Sequence, residues 1–350
     1  MKALKTLALA LALLLTLSAC GATRGGGPAE TEGGSAPAEE PASQPAPEEP
    51  EDEPPAIEDV SLSIGALKGP TAMGMIRMIS DDGVHRYTLA GSADELTPAL
   101  IKGDLDIACV PANLAAVLYN KTEGQIVTLA VNTLGVLYIV ENGGETVRSM
   151  GDLKGKTIVA AGKGSTPEYG LRYLLEQNGL DPDKDVSVDW KSEHAECVAA
   201  LAAGAADIAL LPQPFVTVAQ GKLENLRVAL DLTAEWDALG NGSAMITGVA
   251  VARRALAEEN PKLVGAFLED YAASVDWVNA NPKEAGELVS ANGIIENPAV
   301  AEKALPHCNI VCLTGEEMTA KLSGYLQVLA EANPQSVGGA LPGNDFYYGV

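Results

Sequence analysis

The chain has 350 residues, a length typical of about two domains at roughly 150 residues each. Hydrophobic residues make up 47% and aromatic residues 4%, so Ala, Val, Leu and Ile must fill most of any core. The formal net charge is −24, from 23 Lys and Arg against 47 Asp and Glu, which argues against binding to nucleic acid or adsorption to anionic lipid.

The first twenty residues have the pattern of a signal peptide. Two lysines, Lys2 and Lys5, precede the apolar run Leu7–Leu17, which is too short for a membrane span. The run ends in LSACG, which resembles the lipobox of bacterial lipoproteins and implies that Cys20 becomes a lipid-modified N-terminus. The alternative is an ordinary signal peptide in which Cys20 is incidental. We predict a lipoprotein signal peptide over residues 1–20.

Residues 21–57 are rich in Gly, Pro, Ala, Glu and Ser and almost free of large apolar side chains. Such a segment cannot bury enough surface to offset its ordering entropy, and proline and like charges keep it extended. We predict a disordered acidic linker here. Outside the first twenty residues no stretch approaches 18 uninterrupted apolar residues, so the sequence predicts a folded domain outside the cell that is tethered by lipid.

From Val60 onward, short apolar runs alternate with helical patterns, which predicts an α/β fold. The predicted helices are Ala72–Ile79, Ala93–Ile101, Pro167–Asn178 and Glu193–Ala203. The predicted strands are Val60–Ile64, Tyr87–Ala90, Asp106–Val110, Val127–Val131, Val136–Val140, Thr157–Ala161, Val186–Trp190, Asp207–Leu211, Arg227–Leu230 and Gly248–Ala252.

A weak internal repeat indicates two related halves. The pattern ALxxGxxDIAxxP occurs at 99–111 and again at 200–212, an offset of 101 residues. A second match, with an offset of 95, relates Lys68–Thr71 to Lys163–Thr166. Each half therefore offers a strand, a glycine turn and a helix, followed later by a helix, a glycine turn, a strand and a proline loop.

The repeated segments carry recognisable chemistry. Gly103 and Gly204 suit the left-handed position that closes a helix. Lys68–Thr71 and Lys163–Thr166 place small polar residues before a helix, where backbone amides are free. Because ligands bind beyond the carboxyl ends of parallel strands, these loops and the two proline loops should face one another across a cleft. The run Gly162–Thr166 lacks the spacing of a nucleotide P-loop.

Residues 152–188 and 248–285, together with the ALxxGxxDIA units, resemble the class II periplasmic binding proteins. Within them the chain resembles the nitrate, sulfonate and thiamine-precursor branch of ABC-transporter solute-binding proteins. The resemblance implies two α/β lobes, each a mainly parallel sheet flanked by helices, with two crossing strands as a hinge. It implies a first lobe of 58–133 plus 247–350 and a second lobe of 134–246.

The resemblance also implies a function. The chain should be a membrane-anchored, extracytoplasmic monomer that captures a small solute and delivers it to the permease of an ABC importer. The solute class would be nitrate, sulfonate or taurine, or a thiamine-precursor-like compound. We expect no cofactor and no catalytic residue, and with only three histidines no multi-histidine metal site.

The predicted binding residues come from the converging loops, with Lys68 or Lys163 supplying charge if the ligand is an anion. Of the aromatic residues near these loops, Phe215, Tyr169 and Trp190 are interpreted as core residues. The complete predicted set is Lys68, Gly69, Thr71, Asn113, Lys163, Ser165, Thr166 and Gln213.

Alternatives remain open at the level of sequence. A cleft enzyme of the same fold would use Glu193 and His194, and a third class is a surface sensor or adhesin. Cys109 is interpreted as a core residue, while a disulfide between Cys308 and Cys312 stays open. The aromatic tail at 346–348 packs on the first lobe or covers the cleft.

Overall fold

The computed structural model describes residues 60–81 and 83–349. The predicted signal peptide, the lipidation site Cys20 and the linker lie outside the described residues. Among the described residues, no helix is both long enough and apolar enough to cross a bilayer.

Eleven strands lie in the described part of the chain and form two sheets. The first sheet has the order β11-β4-β10-β3-β1-β2, and the second has the order β7-β6-β8-β5-β9. The strands are β1 (Ser63–Leu67), β2 (Arg86–Ala90), β3 (Ile107–Pro111), β4 (Ile126–Leu134), β5 (Leu137–Asn142), β6 (Thr157–Ala161), β7 (Ser187–Lys191), β8 (Ile208–Pro212), β9 (Leu226–Asp231), β10 (Ile246–Arg253) and β11 (Ile310–Leu313).

Both sheets are mixed, and four of the six strands in the first sheet and four of the five in the second run in one direction, as the predicted two-lobed α/β fold requires. In the first sheet β1 pairs in parallel with β2 and β3, whereas β10 and β11 pair antiparallel with their neighbours. In the second sheet β6 pairs in parallel with β7 and β8, whereas β5 pairs antiparallel with β8 and β9. The chain enters the second sheet at β5 and returns to the first sheet at β10. Each starts at the edge where the parallel strands end, so it has to run in the opposite direction.

Thirteen α-helices in the described residues cover the sheets. They are α1 (Pro70–Gly74), α2 (Ile76–Asp81), α3 (Ala93–Lys102), α4 (Ala112–Lys121), α5 (Thr166–Gln177), α6 (His194–Ala202), α7 (Phe215–Lys222), α8 (Leu232–Ala238), α9 (Arg254–Glu259), α10 (Pro261–Ala280), α11 (Pro282–Ala291), α12 (Pro298–Ala304) and α13 (Gly315–Ala332).

The predicted helix Ala72–Ile79 is divided in two at Met75, whose N–H donates to the carbonyl of Ala72. Gly74 directly precedes this division. Glycine destabilises a helix, and Gly74 also has a packing role. A Cβ atom on Gly74 would lie 2.9 Å from Cγ2 of Ile310, so only glycine allows α1 to approach β11 this closely.

The connection between the sheets is short. The strand β4 ends at Leu134, and β5 begins three residues later at Leu137 in the other sheet. After α8 the chain returns to the first sheet, where β10 starts at Ile246. We call the first sheet with its helices the first lobe and the second sheet with its helices the second lobe.

The C-terminal segment joins both lobes. The helix α13 packs against α4 and β4 of the first lobe and against α5 of the second. Its Tyr325 ring lies 5.4 Å, centroid to centroid, from the ring of Trp236, which belongs to α8. The final tail packs on the first lobe, since the N–H of Tyr348 donates to the carbonyl of Thr128 at 2.9 Å. Of the two alternatives for the aromatic tail, the first is therefore correct.

The core is aliphatic, as the composition predicts. The central strands β3 and β8 are buried over almost their whole length, and a few large aromatic side chains fill the wider spaces. Each fully buried Val, Leu, Ile, Phe or Met side chain stabilises the fold by about 1.5–3 kcal/mol. The described cysteines, Cys109, Cys197, Cys308 and Cys312, are all free thiols, so the disulfide that the sequence left open does not form here.

Candidate functional site

A cavity of about 340 Å³ lies between the two lobes. The loops that follow β1 and β3 approach it from the first lobe, and the loops that follow β6 and β8 approach it from the second. These are the four loops that the repeat predicted to converge. Leu114, Val136, Leu137 and Phe215 give the cavity apolar walls, and serine, threonine, glutamine and charged residues supply its polar groups.

The loop from β1 to α1 places Lys68, Gly69 and Thr71 along the cavity. The residue before the helix is Gly69, with φ of 158°, and Pro70 opens the helix with the fixed φ that suits this position. The hydroxyl of Thr71 donates to the carbonyl of Leu67 at 2.9 Å and thereby satisfies the acceptor at the end of the strand. Lys68 lines the cavity and is exposed to solvent.

The loop from β6 to α5 is the counterpart in the second lobe. Gly162 and Gly164 have φ values of 88° and 75°, a left-handed conformation that glycine adopts without a steric penalty. Their turn brings Lys163, Ser165 and Thr166 to the cavity. The hydroxyl of Ser165 donates to the carbonyl of Gly162 at 2.7 Å, and the carboxylate of Glu168 accepts from the N–H of Gly164 at 2.6 Å.

Gln213 reaches the cavity from the end of β8 and is nearly buried. Its side-chain oxygen accepts from the N–H and the hydroxyl of Thr217, at 3.3 and 2.9 Å, which caps the first turn of α7. The amide nitrogen of the same side chain is therefore the end that can serve a ligand.

Asn113 does not line the cavity. Its side chain is fully buried, donates to the carbonyl of Ser336 at 2.9 Å and to that of Gly164 at 3.4 Å, and accepts from the hydroxyl of Thr166 at 3.3 Å. The structure thus brings seven of the eight predicted residues to one cavity and places Asn113 in the wall, where it links the lobes and the C-terminal segment.

Further lining residues were not among the predicted set. Ser92 and Asp94 come from the start of α3, and His194 comes from the start of α6. The sequence held a signal for these loops, because the match of Glu95 with Glu196 at the 101-residue offset marks both helix starts as equivalent. Thr133 and Thr247 lie where the chain crosses between lobes, and residues at such crossings border the cleft.

Among the titratable groups that line the cavity, His194 has the largest shift in pKa. Its ring packs 5.4 Å, centroid to centroid, from that of Phe215, and its Nδ1 is buried without a hydrogen-bond partner among the described residues. Burial lowers the pKa of the imidazole to about 4, so the ring is neutral at physiological pH. Within the described residues no group of three His, Cys, Asp or Glu side chains is placed to hold a metal ion.

The two lobes touch around the cavity. A Cβ atom on Gly91 of the first lobe would lie 2.5 Å from Oε1 of Glu193 in the second. On another side α7 packs against α12. Together with the contact between Asn113 and Gly164, these contacts bring the lobes together around the cavity.

Two lobes that meet over a cavity of solute size, at the ends of their strands, define a two-lobed binding protein. A family model for the ABC-transporter phosphonate periplasmic substrate-binding proteins matches residues 85–291. The chain belongs to this family, whose members are substrate-binding transport proteins and not enzymes. No curated protein is significantly similar to it in sequence.

Solved structures share the fold. An ABC transporter protein from Parabacteroides distasonis is 26% identical, with a TM-score of 0.69, over 83% of this chain and 99% of that one. The periplasmic aliphatic sulphonate binding protein SsuA from Escherichia coli is 19% identical, with a TM-score of 0.64, over 81% and 97%. The periplasmic nitrate-binding protein NrtA from Synechocystis PCC 6803 is 16% identical, with a TM-score of 0.52, over 66% of each chain.

Proposed function

We propose that this chain captures a small solute between its lobes and, as a monomer held at the membrane by a lipid on Cys20, delivers it to the permease of an ABC importer. In this proposal the first lobe comprises residues 58–133 and 247–350, and the second comprises 134–246. The solute belongs to the range that the related proteins cover, which includes phosphonates, sulfonates and nitrate by their names, or is a thiamine-precursor-like compound.

The observation that carries the proposal is convergence. Seven of the predicted residues, from loops far apart in the sequence, meet at one cavity, and each loop follows the end of a strand. Closing such a cleft excludes water, so each hydrogen bond to the solute discriminates strongly between ligands. The proposed contacts are Lys68, Gly69, Thr71, Lys163, Ser165, Thr166 and Gln213, and Asn113 supports them from behind.

The test is to substitute Ser165→Ala, Thr166→Ala and Gln213→Ala one at a time and to measure both solute affinity and unfolding. A lost ligand contact weakens binding by about tenfold per 1.4 kcal/mol. A lost helix cap costs about 1 kcal/mol of stability and leaves affinity intact once the protein is folded. We expect weaker binding from all three variants.

Ser149→Ala is the matched control, because Ser149 is an exposed capping residue at Met150–Leu153 and lies away from the cleft. It should lower stability by a similar amount and leave affinity at the wild-type value. If all three cleft variants bind the cognate solute as the control does, the cleft assignment is wrong.

A further inference from the structure

A β-bulge lies beside the cavity, where β4 and β10 pair. Thr133 of β4 pairs with Gly248 of β10, and Val131 pairs with Val249, so Asn132 is the extra residue of the bulge. Thr133 and Gly248 both line the cavity, whereas Asn132 is fully buried behind them. Bulges are common beside binding sites because the extra residue changes the direction in which a side chain points.

Gly248 allows the Asn132 side chain to lie this close to the cavity. A Cβ atom on Gly248 would lie 2.5 Å from Oδ1 of Asn132 and 3.1 Å from Oγ1 of Thr133. Any other residue at this position would therefore collide with the amide and crowd the hydroxyl. The glycine thus keeps the Thr133 hydroxyl, with the Asn132 amide behind it, at the wall of the cavity.

The hydrogen bonds at the bulge leave two buried donors unused. The hydroxyl of Thr133 donates to Oδ1 of Asn132 at 3.1 Å. Nδ2 of Asn132 and the hydroxyl of Tyr271, both buried, have no hydrogen-bond partner among the described residues. The two groups are neighbours, since burial raises the pKa of Tyr271 well above its ordinary value and the adjacent Asn132 amide acts to lower that pKa. Buried polar groups are almost always hydrogen-bonded, so two unpaired donors side by side indicate that Asn132 has a second arrangement.

Inverting the Asn132 amide pairs both donors at once. The oxygen and nitrogen of a side-chain amide are close in size, so half a turn about the last side-chain bond exchanges them and moves no other heavy atom. Oδ1 then accepts from the hydroxyl of Tyr271, and Nδ2 donates to Oγ1 of Thr133 across the existing 3.1 Å contact. The Thr133 hydroxyl no longer donates to Asn132, and its proton is available to an acceptor in the cavity.

Resting on the proposed role of the cleft, we infer that Thr133 donates a hydrogen bond to an anionic oxygen of the solute, and that Asn132 and Tyr271 are positioning residues for this contact. In the complex Tyr271 donates to Asn132, Asn132 donates to Thr133, and Thr133 donates to the solute. A charged acceptor forms a stronger hydrogen bond than a neutral amide oxygen, so the solute favours the inverted amide. Neither Asn132 nor Tyr271 is among the described residues that line the cavity, so both act on affinity through Thr133.

The test substitutes Tyr271→Phe and Thr133→Val, singly and together, in the full-length protein in detergent. Calorimetry with methylphosphonate, ethanesulfonate and nitrate identifies the tightest probe for the wild-type protein, and the variants are titrated with that probe. Thr133→Val should weaken binding about tenfold, and Thr133→Ser, which keeps the hydroxyl, should bind nearly as the wild type does. Tyr271→Phe should weaken binding about fivefold and leave urea unfolding unchanged or slightly harder, because the lost hydroxyl has no partner among the described residues. In the double variant, Tyr271→Phe should cost no further affinity.

Tyr173→Phe is the matched control. The hydroxyl of Tyr173 accepts from Nδ2 of Asn241 at 3.2 Å, and its ring packs against Trp236. This control should lose stability and keep wild-type affinity. If Tyr271→Phe binds the probe as the wild type does, or weakens binding equally with and without the Thr133 hydroxyl, the inference is wrong and the proposed function stands. If no probe binds the wild-type protein, the inference is also wrong, and the proposed function fails with it only if a fractionated growth medium yields no ligand.

Discussion

Replacing Asn113 by alanine should destabilise the protein by about 2 kcal/mol while removing no direct contact to the solute. The side chain is fully buried and donates to the carbonyl of Ser336 at 2.9 Å. Removing it leaves that carbonyl without this donor, and an unsatisfied buried group costs about 1–3 kcal/mol. The bonds to Gly164 and Thr166, at 3.4 and 3.3 Å, are longer than the optimum and add little to this cost.

These two long bonds nevertheless cross between the lobes. Their loss removes support from the closed arrangement, and apparent affinity falls in proportion to the fraction of molecules that can bind. If the two bonds together favour closure by about 1 kcal/mol, the solute should bind roughly fivefold more weakly to Asn113→Ala. The effect on affinity is therefore indirect and small.

The assay pairs urea unfolding with calorimetric titration of the solute, and Asn120→Ala is the control. Asn120 lies on the same helix and donates to the carbonyls of Val337 and Ala340 in the same C-terminal segment, at 2.8 and 2.7 Å. Both of these bonds stay within the first lobe and the tail. This control should lose stability and keep wild-type affinity. A loss of affinity of a hundredfold in Asn113→Ala with unchanged unfolding would refute the reasoning, because only a ligand contact behaves so.

Three further predictions concern the anchor, the second lobe and the closure. Cys20→Ala should release the protein from membranes or leave it unprocessed, and fractionation that finds it membrane-bound and normally processed would contradict the lipid anchor. Burial alone would raise the pKa of Glu141, but hydrogen bonds from Thr146, Val147 and Arg227 lower it to about 2. This carboxylate thus stabilises the fold by about 3 kcal/mol above pH 4.5, and the contribution is lost as the pH falls towards 2. Glu141→Gln should cost about that much at pH 7 and roughly half at pH 3, and an equal cost at both pH values in urea unfolding would be inconsistent with this. Solution scattering should show compaction when solute is added, and identical profiles at saturation would argue against a large closure.

The repeat made the placement of the site predictable. The glycines at the two related helix ends, Gly103 and Gly204, adopt φ values of 86° and 66°, as their spacing predicted. Because the pattern of each half fixes where a strand ends and a helix begins, it also fixes which loops face the cleft. All ten predicted strands exist, with bounds that differ by up to three residues.

The structural features that the sequence did not predict depend on partners far away along the chain. The strand β11 has only four residues and forms because β4 offers it an edge. Asn113 lies in the first turn of α4, and its side chain meets Ser336, 223 residues later. No local pattern encodes such a meeting. The same holds for Tyr325, which brings the C-terminal helix against Trp236 of the other lobe.

The cleft loops show a different limit, which is that residue types alone do not give the directions of hydrogen bonds. The residue types at its loops, which are Ser, Thr, Gly and Lys, are those of an anion site, and the sequence allowed that interpretation. The directions of the hydrogen bonds depend instead on local spacing, since Thr71 lies four residues after the carbonyl of Leu67 and Ser165 lies three after that of Gly162. Each strand end leaves a carbonyl that needs a donor, and the nearest hydroxyl supplies it. The same local spacing therefore completes the backbone hydrogen bonds in the loops that follow β1 and β6.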